Sequence, residues 1–76
     1  MAVADKVIEL ISQQLNKPAE EITAEKDVVK DLGADSLDVV EMLMSLEEEF
    51  NVTVPEEEAV NIKTVGDIIE LISSKN

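Results

Sequence analysis

Asp31-Leu32-Gly33-Ala34-Asp35-Ser36-Leu37-Asp38-Val39-Val40-Glu41-Met42-Leu43 carries this chain from a loop into a helix. The junction sets one serine between carboxylates, with small residues before it and aliphatic residues after. Beyond Ser36 the apolar residues fall into helical register. At about 100° per residue, Val39, Leu43, Leu46 and Phe50 share one arc, with Met42 at its edge. This predicts a helix from near Ser36 to about Phe50 with a core-facing stripe. Leu37, Val40 and Met44 fall on roughly the opposite side. Glu41 and Glu48 lie within or beside that second stripe, and Glu47 and Asp38 border it more loosely. Scattered exposed aliphatics are ordinary. Three in line with an acidic rim fit a protein-docking surface.

The rest of the chain supplies further helices. Val3, Val7, Ile11 and Leu15 repeat at four-residue spacing with Ile8 beside them, predicting an amphipathic helix over Val3 to Leu15. Asn16 suits a left-handed cap, and Pro18 prevents continuation. Pro55-Glu56-Glu57-Glu58 opens a short third helix, with proline at its first position and acids at the positive end of the dipole. Thr64-Val65-Gly66-Asp67 has the form of a capping box for a fourth helix through about Ser73. Asn51-Val52-Thr53-Val54 is β-prone but has no second strand to pair with. The fold class is all-α: a small bundle of three main helices plus one short helix, with a long first loop. The segment from Asn16 to Asp35 is long for a structureless connection. Ile22, Val28, Val29 and Leu32 are spaced to pin it over the bundle.

Composition narrows the possibilities. With 76 residues, the stretch 1–76 reads as one domain with one small core. Cysteine and histidine are absent, which removes disulfides, thiolate metal sites and the commonest general base. Phe50 is the sole aromatic, so the core is aliphatic. No apolar run approaches the ~20 residues of a membrane span, and MAVADK lacks the form of a signal peptide. A monomeric, cytoplasmic protein is the expectation. The net charge is −12, from 6 basic and 18 acidic side chains. From Asp31 to Ile62 every charged side chain is acidic. Such a surface repels nucleic acid and anionic lipid and attracts partners with basic patches.

Ser36 admits several readings. A serine at a helix start is most often a cap. Here Asp35 can cap instead, with Asp38 three residues on, which leaves the hydroxyl available. Gly33-Ala34 keeps its approach open. Autonomous catalysis lacks a base: there is no histidine, and no Gly-x-Ser-x-Gly elbow. A calcium loop counted from Asp31 places Ser36 and Met42 where glycine and glutamate are required. The motif fails, leaving only weak surface binding of divalent ions.

The run DLGADSL with DVVEML after it closely resembles the modification site of acyl carrier proteins. The resemblance covers Val3 to Ser73, including VPEEEAVNIKTVGDIIELI, and is similar to the stand-alone fatty-acid-synthesis type. It implies a non-catalytic carrier of growing acyl chains, held as thioesters on 4′-phosphopantetheine attached to Ser36. The group would come from coenzyme A through a phosphopantetheinyl transferase (holo-ACP synthase) using Mg²⁺. Further partners would be fatty acid synthase enzymes with basic docking patches, and acyltransferases. Docking would fall on Asp35, Leu37, Asp38, Val40, Glu41, Met44, Glu47 and Glu48. An acyl pocket between the second and third helices would be lined by Leu43, Leu46, Ala59, Ile62 and Ile68. A carrier for polyketide or peptide synthesis shares the serine and the fold; the acidity and whole-chain match favour the fatty-acid type. Two residues depart from the family pattern. Val60 stands where such carriers often have an acid, and Ile68 where some have alanine.

Overall fold

The computed structural model describes residues 2–75. Four α-helices follow one another: α1 (Val3–Leu15), α2 (Ser36–Phe50), α3 (Glu56–Ala59) and α4 (Val65–Lys75), with a 3-10 turn at Ala19–Glu21. Among the described residues no strand forms; one isolated antiparallel bridge joins Asp27 to Thr64. The all-α class expected from the sequence is what the chain adopts. Pro55 is the cap of α3 rather than its first residue, and α4 runs to Lys75, beyond Ser73.

The helix at the centre is α1. It packs on both α2 and α4, and no other helix pair meets as broadly. Val7 and Ile11, one turn apart, are fully buried on its inner face. Val3, Ile8, Leu10 and Leu15 pack half-buried around them. Asn16 ends the helix as expected. It takes the left-handed conformation (φ 56°), and its N–H bonds back to the Ser12 carbonyl. Asn51 closes α2 the same way, with φ 54° and its N–H on the Glu47 carbonyl. Buried Met42, Leu43 and Leu46 of α2 and Val65, Ile68 and Ile72 of α4 complete the helical core. Met42, expected at the edge of the stripe, is fully buried, while Val39 and Phe50 are only half-buried. The inward arc of α2 is therefore turned toward Met42. Phe50 lies in the last turn, where the chain leaves the bundle.

The long loop is ordered. Ile22, Val28 and Leu32 are buried as expected, and Ala34 joins them. Val29 points outward instead, at 53% exposed. The Asp27 carboxylate accepts from the N–H groups of Val29 and Lys30, and the Asp31 carboxylate accepts from the Asp27 N–H. These bonds curl residues 27–32 into a helical turn. Val28 and Leu32, four apart, then share the inner side and Val29 is rotated off it. Gly33 ends the turn with φ +76°, a conformation side chains disfavour.

Three backbone hydrogen bonds tie this loop to the start of α4. Val28 donates to Lys63, Val65 to Lys26, and Gly66 to Ala24, at 2.9, 3.0 and 2.8 Å. The last favours glycine: a Cβ on Gly66 would stand 3.1 Å from the Ala24 carbonyl oxygen, a tight contact. The predicted capping box of α4 forms around it. The Asp67 N–H donates to Thr64 Oγ1, while Asp67 Oδ2 accepts from the N–H groups of Thr64 and Lys63.

Those two backbone donors, Thr64 first and then Lys63, hold the Asp67 carboxyl below the ordinary aspartate range. A folded pKa below the unfolded one contributes stability above the ordinary value. That contribution is lost as pH falls through the folded pKa. Asp67→Ala should therefore destabilise the fold by about 1 kcal/mol at neutral pH. Its gap from wild type should narrow as pH drops below 3.8. Urea unfolding across the acid range measures both, and a gap that does not narrow would mean the cap acts without its charge.

Candidate functional site

Local chemistry at the start of α2 sets the site. Asp35 is extended (φ −98°, ψ −177°) and caps the helix: its Oδ1 accepts from the Asp38 N–H at 2.9 Å. Asp38 returns the bond, its Oδ2 accepting from the Asp35 N–H at 3.2 Å. Both halves of the box are thus aspartates. Ser36 becomes the first helical residue, exposed, with its hydroxyl outside the cap. The two small residues before it do different work. A Cβ on Gly33 would meet nothing within 4 Å, so the chain is open to solvent at that residue. Ala34 is buried, and its small side chain anchors the junction against the core.

From Ser36 the helix presents two faces. Leu37, Val40 and Met44 are 66%, 51% and 59% exposed, while Met42, Leu43 and Leu46 are buried. The outward stripe expected from the spacing is present as an exposed apolar line. Its acidic rim is less uniform than the spacing suggests. Asp35, Glu41 and Glu48 are exposed. The Glu41 carboxylate also accepts from Gln14 Nε2 on α1 at 3.3 Å. Asp38 is half-buried within the box. Glu47 is half-buried too, and its Oε2 accepts from the Val54 N–H at 2.9 Å. Glu47 therefore fastens the segment after α2. Its charge stands less open to a partner than that of Glu48.

The residues expected to line an acyl pocket are in one cluster. Leu43, Leu46 and Ile68 are buried core, with Ala59 and Ile62 half-buried against it. A recess of about 280 Å³ lies elsewhere, between α3 and α4, lined by Glu58, Asn61, Ile62, Asp67, Glu70 and Leu71. Only Ile62 belongs to both sets. Leu43, Leu46 and Ile68 themselves belong to the packed core. Spacing alone missed Val29, whose exposure follows from the Asp27 turn. Val60, noted as a departure from an acid, is the most exposed of the large apolar residues among those described, at 74%. Among the described residues no group of three or more His, Cys, Asp or Glu side chains is placed to hold a metal ion.

The unequal roles of the acids on α2 can be measured. Glu47→Ala should lower stability by about 1 kcal/mol, because the Val54 N–H loses its acceptor. Glu48→Ala should leave stability nearly unchanged. Paired thermal melts check this, and equal losses would show that the Val54 bond adds nothing.

Known proteins match this chain across nearly its whole length. A family model described as a phosphopantetheine attachment site matches residues 5–72. An acyl carrier protein from Wolinella succinogenes is 51% identical over 74 residues, covering 97% of each chain. One from Helicobacter pylori (strain J99) is 50% identical over 72 residues, covering 95% of this chain and 92% of the relative. Among solved structures, a putative acyl carrier protein from Mycobacterium tuberculosis superposes with a TM-score of 0.91 at 34% identity, covering 96% of this chain and 97% of that one. The acyl carrier protein from Enterococcus faecalis gives 0.83 at 34% identity over the full length of both chains. On sequence and on fold alike, the chain belongs to the acyl carrier protein family, whose members are non-catalytic carriers built around a phosphopantetheine attachment site.

Proposed function

We propose that this protein carries growing acyl chains in fatty acid biosynthesis, in the cytoplasm, with Ser36 as the residue that bears 4′-phosphopantetheine. The observation that carries this reading is the Asp35–Asp38 box, which caps α2 and leaves the Ser36 hydroxyl exposed and unneeded for the cap. The site fits the group. Ser36 is exposed, and a phosphodiester on this first residue of α2 stands at the positive end of the helix dipole. When bound, the group supplies a terminal thiol on which acyl chains ride as thioesters. The protein's own residues position it, present it to partners and shelter its cargo.

Asp31, Asp35 and Asp38 oppose this by repelling any incoming phosphate. The serine is therefore modified by a separate phosphopantetheinyl transferase, with Mg²⁺ to offset the field. The same acids serve docking. Leu37, Val40 and Met44 form the apolar centre for synthase enzymes and acyltransferases, with Asp35, Glu41 and Glu48 drawing basic patches toward it. Asp38 and Glu47 contribute charge at the rim, although each is also engaged internally. The cargo is sheltered by Leu43, Leu46, Ala59, Ile62 and Ile68. Their close packing means that a chain enters by parting α3 from the bundle. Each methylene hidden from water then returns about 0.8 kcal/mol.

The site assignment is tested by Ser36→Ala. With Asp35 as the cap, the variant should keep its helix content and stability within a few tenths of a kcal/mol, roughly the Ser–Ala difference in propensity. It should gain no phosphopantetheine on incubation with coenzyme A and a transferase, read by intact mass. Mass gain by the variant would place the attachment elsewhere.

The docking face predicts a separate pattern. Glu41→Lys, Glu48→Lys and Met44→Ala should each weaken binding to the transferase. Added salt should weaken the wild-type complex, since screening at 0.1 M reaches within about 10 Å. Titration calorimetry at two salt concentrations measures both effects. Binding indifferent to salt would remove the electrostatic part of this reading.

A further inference from the structure

α3 is the least secured helix of the molecule. It is a single turn, Glu56–Ala59, capped by Pro55 without a side-chain hydrogen bond. One turn does not sustain itself in water. Its three consecutive acids repel one another, and no base stands between Asp31 and Ile62 to relieve them. It shares no broad helix–helix contact, and the recess separates it from α4. Ala59 and Ile62 hold it only half-buried against the core. One ion pair joins α3 to α4. Lys75 Nζ, from the last turn of α4, meets Glu58 Oε2 at 3.0 Å, and the two side chains are 25% and 37% exposed.

A pair of this kind is usually worth little. Its weight depends on what else holds the same element. Lys6 and Glu49, at 3.6 Å, join α1 to α2, which already pack along their length. That pair is redundant. The Glu58–Lys75 pair bridges a gap, to an element with few other ties. The same modest interaction is there a large share of the whole.

We propose that Lys75 is a positioning residue: its pair with Glu58 straps α3 to α4, and release of the strap sets how readily the bundle opens beside Ile62 to admit an acyl chain. The cargo half of this rests on the acyl-carrier reading of Ser36 given above.

The test uses the full chain and amide hydrogen exchange by NMR. The probes are the N–H groups of Val60, Asn61 and Ile62, which bond to the carbonyls of Glu56, Glu58 and Ala59. Lys75→Met keeps the aliphatic stem and removes the charge. It should speed exchange at these amides about two- to five-fold and leave Ile11 and Leu46 unchanged. Glu58→Gln should do the same, and the double variant should do no more than either single one. Lys6→Met should leave α3 unaffected. Unchanged α3 amides, equal acceleration at Ile11, or additive effects in the double variant would each overturn the strap. For the cargo, thermal shifts for a series of acyl lengths on wild type and Lys75→Met should show the variant stabilised by longer chains. Identical profiles would overturn that half while leaving the strap standing. Failure of Ser36 to accept the group would instead strike the carrier reading, since the exchange experiment needs no cargo.

Discussion

Everything in this molecule hangs on the apolar seam of α1. Val7 and Ile11 lie at its centre, fully buried, and α2 and α4 pack on either side. A chain without cysteine, and with Phe50 as its only aromatic, has no bulky anchor and no covalent tie. Its core is assembled from many medium-sized aliphatic side chains, each worth a few kcal/mol at most when fully buried. A helix with neighbours on two sides buries more of that surface than one at the edge. The short α3 has no such position, and its shallow anchoring follows.

The first loop is part of the core. Ile22, Val28, Leu32 and Ala34 add to the buried cluster, and three backbone bonds fasten the loop to the start of α4. Buried backbone must find partners, and here each crossing supplies one. The Asp27 turn also decides where Ser36 stands. It ends at Gly33, Ala34 tucks inward, and the chain emerges at Asp35 in the extended conformation that a cap requires. Site geometry thus depends on packing well upstream of the serine.

Charge and stability pull in opposite directions along α2 and α3. Acids without bases between Asp31 and Ile62 raise the energy of the compact state. Several are used locally: Asp31, Asp35, Asp38 and Glu47 each accept a backbone N–H. Glu41 and Glu48 carry no such backbone bond and stand exposed beside the apolar stripe. The acidic surface is therefore divided between acids that build the fold and acids that face outward. The division falls within one helix.

The sequence by itself determined the helices, the Asn16 cap, the Thr64–Asp67 box and the outward line of Leu37, Val40 and Met44. These follow from local spacing and from side chains bonding to their own backbone, interactions complete within a few residues. It also brought out Ser36, through the resemblance carried by DLGADSL, and the interval between Asp35 and Asp38 left its hydroxyl free of the cap. Tertiary structure decided the rest. Only packing could bury Met42 and Ala34, because each depends on which neighbour arrives from elsewhere in the chain; Val29 is turned outward by the Asp27 turn, a local bond pattern that apolar spacing does not show. The spacing of Leu43, Leu46 and Ile68 showed that they are apolar and inward. That they meet in one buried cluster, and that a recess lies between α3 and α4, is a matter of how side chains from separate helices interdigitate. Glu47 and Glu48 are adjacent and chemically identical. Their separate roles arose only when the backbone of Val54 folded back to meet one of them.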